Sequence, residues 1–181
     1  MPWPLDALVN TFHAICEHQG GIKIDVVGDR IVISMRTGAH CHTDFDVQKA
    51  ALAAGLAGER VLSNVLIEFP GEAPRVPDVS ILRDGQTGEP YSHKDLLAAV
   101  EIASTRHDGY DFTLKEEQYA RSGVPAFLVI DPFRGECDLL TRPVDGTYAT
   151  RRQHTYGETI HLQLADGTII DIPTDTFDRR H

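Results

Sequence analysis

The residues from Ala98 to Pro132, AAVEIASTRHDGYDFTLKEEQYARSGVPAFLVIDP, constrain this chain more than any other stretch. They read as a short apolar strand ending at a carboxylate, a polar loop, an amphipathic helix and a second apolar strand. The helix starts at Asp111 or Thr113 and runs to about Ser122, where Gly123 stops it; the second strand is Ala126–Asp131. In the first strand Val100 and Ile102 alternate with Glu101, so the apolar pair turns to the core and Glu101 to the opposite side. Lys115 and Tyr119 lie one turn apart on the helix and share a face. Upstream, Asp78 follows Pro77 and opens another apolar strand, Val79–Leu82.

Two carboxylates at strand ends with a lysine on the neighbouring helix suit a divalent metal ion. Mg²⁺ takes hard oxygen ligands, keeps several waters and needs only one or two protein carboxylates. Asp78 and Glu101 supply them, and the carbonyl of Ile102 adds a third oxygen. A metal ion placed there serves phosphodiester hydrolysis, as Lewis acid and as source of hydroxide. Lys115 then holds the attacking water or the phosphate, and the Tyr119 hydroxyl orients one of them. Each residue has a plainer role open to it. Glu101 could be a surface residue paired with Arg106, Lys115 an i,i+4 partner of Asp111, and Asp131 the cap of a turn before Pro132.

The remaining chain reads as follows. Leu5 to Glu17 has helical apolar spacing, and Gly20-Gly21 ends it. Ile22–Val27 and Arg30–Met35 alternate around Gly28-Asp29, a β-hairpin signal. The polar run Thr37 to Asp44 breaks the pattern, with Thr43 or Asp44 capping an alanine-rich helix to Leu56 and His42 beside the cleft. His40, Cys41 and His42 invite zinc, but no second ligand pair stands at a suitable distance. Arg60 to Phe69 reads as one strand and Pro70 to Pro77 as a rigid loop. From Cys137 onward the pattern is all-β, with hairpin turns at Asp145-Gly146 and Asp166-Gly167 and a fraying end. The sum is an α/β fold: one domain over residues 1–181, a mixed sheet with helices on its faces and a C-terminal β-hairpin extension.

Composition narrows the function. No apolar run is long enough for a membrane span, and the N-terminus lacks a basic region before an apolar one, so no membrane partner or secretory signal is expected. Cys16, Cys41 and Cys137 are odd in number and irregularly spaced, which suits a reducing cytoplasm rather than a disulfide framework. The net charge of −10 argues against a nucleic-acid partner unless basic residues gather on one face or metal ions neutralise a pocket. Among the candidate basic positions Arg75, Arg83, Lys94, Arg106, Lys115, Arg121, Arg142, Arg151 and Arg152, only Arg151-Arg152 is a tight cluster.

In combination, PDVS (Pro77 to Ser80), VEIAS (Val100 to Ser104), the Tyr110 to Pro125 run YDFTLKEEQYARSGVP and LVIDP (Leu128 to Pro132) resemble the Uma-two putative restriction endonuclease family. That family is similar to the wider PD-(D/E)xK nuclease superfamily. The resemblance spans roughly Leu5 to Ile172 and implies a restriction-endonuclease-like sheet. It implies Asp78 and Glu101 as metal-binding acids and a Mg²⁺-dependent (or Mn²⁺-dependent) endonuclease acting on DNA. The superfamily's lysine two positions after the second acid is Ala103 here, which makes Lys115 its replacement, with Tyr119 matching the helix tyrosine. A homodimer suits an enzyme that cuts both strands. Two other functions compete: a non-catalytic nuclease-fold protein that binds a partner or assembles, and a metal-dependent hydrolase of a small phosphorylated substrate.

Overall fold

The computed structural model describes residues 22–27, 30–86, 88, 90–106 and 109–180, with side chains described from Arg36 onward except that of Tyr110. The helix expected over Leu5 to Glu17 lies outside these residues. Strands β1 (Ile22–Val27) and β2 (Arg30–Met35) pair antiparallel with Val27 opposite Arg30, the two-residue hairpin that the alternation predicts.

Helix α1 covers Gly38–Ala53, not Asp44 to Leu56. The polar run is its first turns: the Thr37 side chain accepts from the His40 N–H at 3.4 Å and caps the helix earlier than expected. It ends before Gly55, whose φ of 90° closes it. The single strand expected from Arg60 to Phe69 is two. β3 (Val61–Ser63) stops at Asn64, which turns the chain with φ of 55°. β4 (Ile67–Glu68) then leaves for a separate two-stranded sheet. Its partner there is β6 (Tyr91–Ser92), while β5 (Val79–Leu82) lies between them in sequence and joins the main sheet.

The main sheet continues with β7 (Leu96–Ile102), β8 (Ala126–Asp131), β9 (Glu136–Val144) and β10 (Thr147–Thr155). Helix α2 (Gly109–Arg121) carries the chain from β7 to β8, which therefore run parallel. Every other pair is antiparallel, giving a six-stranded mixed sheet in the order β10-β9-β8-β7-β5-β3. Asp145 and Gly146, with φ of 51° and 80°, make the β9–β10 turn as their sequence predicts. The second C-terminal hairpin, β11 (Thr159–Gln163) with β12 (Ile169–Pro173), forms its own sheet against α1. Among the described residues no helix is long and apolar enough to cross a membrane.

Both faces of the sheet are covered. On one, Val79, Ile81, Val100, Ile102, Leu128 and Ile130 pack with Val47 and Ala51 of α1 and with Ile160, Leu162, Ile170 and Ile172 of the β11–β12 hairpin. On the other, Ala99, Phe127 and Leu140 pack with Tyr119 of α2 and with Phe69 and Tyr91. Residues of β5 and β7 are consequently buried along their whole length.

The C-terminal end does not fray. Phe177 is 6% exposed and meets Tyr156 edge-on at 5.5 Å. The Arg180 N–H donates to the Pro132 carbonyl, and its guanidinium to the Ser104 carbonyl, each at 2.9 Å. Phe177→Ala is expected to cost roughly 3–5 kcal/mol, read as a lower urea midpoint with an unchanged slope. A midpoint equal to wild type would mean that the tail contributes nothing to the core.

Candidate active site

The antiparallel ladder of β5 and β7 ends at Val79 opposite Val100, and the same register carried one residue further sets Asp78 opposite Glu101. Asp78 is fully buried. Its Oδ2 accepts the Ile102 N–H at 2.8 Å, which ties the end of β5 to β7. Its Oδ1 lies 3.1 Å from His40 Nε2 and 4.0 Å from the Arg36 guanidinium. Ile102 thus enters the site through its backbone N–H.

Glu101 takes the side opposite Val100 and Ile102, as the alternation predicts, but that side is roofed by α2. The residue is 1% exposed, so the surface position is excluded. Lys115 Nζ sits 3.0 Å from Glu101 Oε2 and 3.0 Å from Asp111 Oδ2. The i,i+4 pair open to Lys115 therefore exists, and the cross-element contact exists with it. The Tyr119 hydroxyl donates to Glu101 Oε1 at 3.2 Å. Its ring stands edge-on to Phe127 at 5.0 Å, which holds the hydroxyl in place. Asp78, Glu101, Lys115 and Tyr119, chosen from the sequence, therefore gather around one end of β5 and β7.

Sequence reasoning missed the α1 side. His40, Asp44 and Gln48 recur every four residues and so share a helix face, a signal hidden when the helix is started at Thr43 or Asp44. Asp44 is buried and pairs with Arg36. Its Oδ1 accepts from Gln48 at 2.6 Å and from the Ser63 hydroxyl at 2.7 Å. The histidine beside the cleft is His40, 3% exposed, and not His42. The His42 side chain is 77% exposed and faces Asp178 at 3.3 Å.

A family model named Uma2 and described as putative restriction endonuclease matches residues 9–173. The chain belongs to this family. A crystal structure described as a putative nuclease belonging to DUF820, from Anabaena variabilis, has a similar fold, with a TM-score of 0.58 at 15% sequence identity. The likeness covers 77% of this chain and 80% of that one. No curated protein matches in sequence.

Among the described residues, the site of this Uma2 chain brings the carboxylates of Asp44, Asp78, Glu101 and Asp111 together with Arg36 and Lys115. Among the described residues no three His, Cys, Asp or Glu side chains converge on one metal position. Mg²⁺ does not require three, because waters and a substrate phosphate complete its shell. A carboxylate oxygen that accepts one hydrogen bond keeps a second lone pair. Asp78 and Glu101 supply the hard oxygen donors that suit a divalent cation of that type.

Zinc at His40-Cys41-His42 does not fit, since α1 buries His40 and turns Cys41 and His42 outward. Cys41 and Cys137 are free. Burial, with Asp138 and Asp131 nearby, pushes the Cys137 thiol up to about 12, which opposes thiolate ligation.

Asp131 has the plainer role open to it: its Oδ1 accepts the N–H groups of Phe133 at 2.9 Å and Arg134 at 3.1 Å, capping the turn after β8. The Arg151-Arg152 cluster is partly neutralised, because Arg151 pairs with Glu116 at 2.5 Å and Asp138 at 3.1 Å. Beside the end of β7 and the start of α2, a cavity of about 190 Å³ is lined by Ala103, Gly109, Phe112, Glu116, Asp131 and Arg151 among others.

Proposed function

We propose that this chain, as one nuclease domain over residues 1–181, is a metal-dependent endonuclease that hydrolyses DNA phosphodiester bonds. The observation that carries the reading is the buried contact of Lys115 and Tyr119 with Glu101, opposite Asp78 in the strand register. Family membership supports it. Asp78 and Glu101 would hold Mg²⁺ or Mn²⁺, with the Ile102 carbonyl as a third oxygen. The bound ion supplies Lewis acidity to the phosphoryl oxygens and lowers the pKa of a water.

The chain's own residues do the rest. Lys115 holds the attacking water or a phosphate oxygen, and Tyr119 fixes the orientation. Asp111 and Glu101 keep the lysine aimed between them. With a net charge of −10 the protein repels an anionic duplex, and a metal ion held by Asp78 and Glu101 would offset part of that charge. A homodimer would bring two such sites to the two strands.

The test is nicking of supercoiled plasmid in Mg²⁺ and then Mn²⁺. Nicking is expected in either metal and is expected to stop when EDTA removes it. Cleavage that persists in EDTA would sink metal-dependent catalysis. A second reading, a nuclease-fold protein that binds or assembles without cutting, is favoured by one observation: Asp78, Glu101, Lys115 and Tyr119 are each no more than 2% exposed. Neither nicking nor metal binding would select it.

A further inference from the structure

Among the arginines with described side chains, all but Arg142 and Arg152 have an ion pair, a hydrogen bond or a ring contact. Arg142 and Arg152 are exposed, and neither side chain has such a partner among the described residues. Both border one groove. We propose that this groove, between strands β9–β10 and the β11–β12 hairpin, is an accessory site for the sugar-phosphate backbone of duplex DNA, with Arg142 and Arg152 as its phosphate contacts. The inference rests on DNA as the substrate, proposed above, and adds where its backbone is held away from the candidate active site.

The groove has a volume of about 510 Å³, and neither Asp nor Glu is among the described residues that line it. Its floor is apolar, with the buried Leu139 and Leu164, and Arg142, Arg152, Thr150 and Gln163 stand around it. His161 also lines it and is matched by Asp171 at 2.6 Å. In a chain with a net charge of −10, a groove lined by two unmatched guanidinium groups is complementary to a polyanion.

The sheet explains how the arginines reach it. Arg152 pairs with Leu139, so its side chain leaves the sheet on the face that the β11–β12 hairpin covers. Its neighbour Arg151 takes the other face and meets Glu116 of α2. A regular strand would likewise send Thr141 and Arg142 to opposite faces, yet both border the groove. The break is at Arg142 itself, whose φ of 61° is a left-handed value that strains a residue with a Cβ. Glycine takes that backbone without strain, so an arginine there points to a use for its side chain.

The register runs from Arg152 through Leu139 and Leu128 to Val100, the neighbour of Glu101. At about 4.8 Å per strand, three steps set Arg152 about 14 Å from Val100 across the sheet. Glu101 turns to the opposite face, toward Tyr119 of α2, so the groove is separate from the catalytic residues. A single small anion needs convergent, buried donors. Exposed arginines along an open groove suit a chain of phosphates, which gains from releasing its counterions.

The experiment is fluorescence anisotropy of a labelled DNA duplex in EDTA over a range of salt concentrations. The proteins are wild type, Arg142→Gly, Arg152→Gln, the double variant, and Arg83→Ala, which removes one charge outside the groove. Wild-type binding should weaken with salt, the double variant should bind about 10-fold more weakly, and each groove arginine lost should lower the salt slope by about 1. Arg83→Ala should bind as wild type does. The urea midpoint of Arg142→Gly should be no lower than that of wild type, which separates its weaker binding from unfolding. A double variant that matches wild type in affinity and slope would overturn the groove and leave both arginines as charges beside a sheet edge. An equal loss in Arg83→Ala would overturn it too, by reducing the effect to net charge. Wild type that fails to bind in EDTA yet nicks plasmid in Mg²⁺ would overturn the groove and keep the nuclease reading. Binding that the double variant loses, in a protein that never nicks, would keep the groove and overturn the nuclease reading.

Discussion

Asp78→Asn is expected to leave the protein folded and to lower plasmid nicking by about 10³-fold or more, a loss of roughly 4 kcal/mol of transition-state stabilisation. The substitution keeps the size of the side chain and one carbonyl oxygen, so the Ile102 N–H, now 2.8 Å from Oδ2, keeps an acceptor. It removes the negative charge at a position that is fully buried. Asn is a poor ligand for a hard dication, and the remaining Glu101 already faces Lys115. Calorimetric titration with Mn²⁺ should show the same loss as the nicking assay. His42→Ala serves as the control, because that side chain is at the surface. Nicking by Asp78→Asn at the wild-type rate would remove Asp78 from the site.

Where short-range pattern sets the structure, sequence and structure agree. Val79–Leu82 and Ala126–Asp131 are apolar runs bounded by proline, aspartate or glycine, and both strands have the expected limits. Glu101 alternates with two apolar neighbours, which fixes its side of the sheet. Alternation cannot say what covers that side. The cover comes from α2, Phe69 and Tyr91, whose approach is tertiary, so Glu101 as a surface residue stayed open until the structure closed it.

The start of α1 was missed for a related reason. Histidine, cysteine and threonine are weak helix formers, and only the Thr37 cap and the packing of His40 and Asp44 commit the run to helix. That error concealed the His40, Asp44 and Gln48 face. Asn64 broke an apolar run by adopting a positive φ, which Asn tolerates but does not announce. The end near Phe177 looked frayed because its sequence is polar, although one aromatic ring docks it to the core.

Glu101→Leu should be the more destabilising change, by roughly 3–5 kcal/mol, since it leaves the ammonium of Lys115 buried without its closest deep partner. Lys115 is 2% exposed, and Asp111, its other carboxylate, lies nearer solvent with 23% of its side chain exposed. That second contact should hold the cost toward the lower end of the range. Combining Glu101→Leu with Lys115→Met removes both charges together. The double variant is then expected to recover most of the loss, keeping a cost of about 1–3 kcal/mol because the Tyr119 hydroxyl loses this acceptor.

Urea denaturation of the four proteins closes the cycle, with an expected coupling of roughly 2–3 kcal/mol. Additive single effects would mean that the 3.0 Å contact between Lys115 and Glu101 contributes no net coupling. All three variants should be inactive in the nicking assay. A stable but inactive double variant would separate the two possible reasons for a buried ion pair: apolar residues can fill this space, so the charges at Glu101 and Lys115 serve chemistry rather than stability.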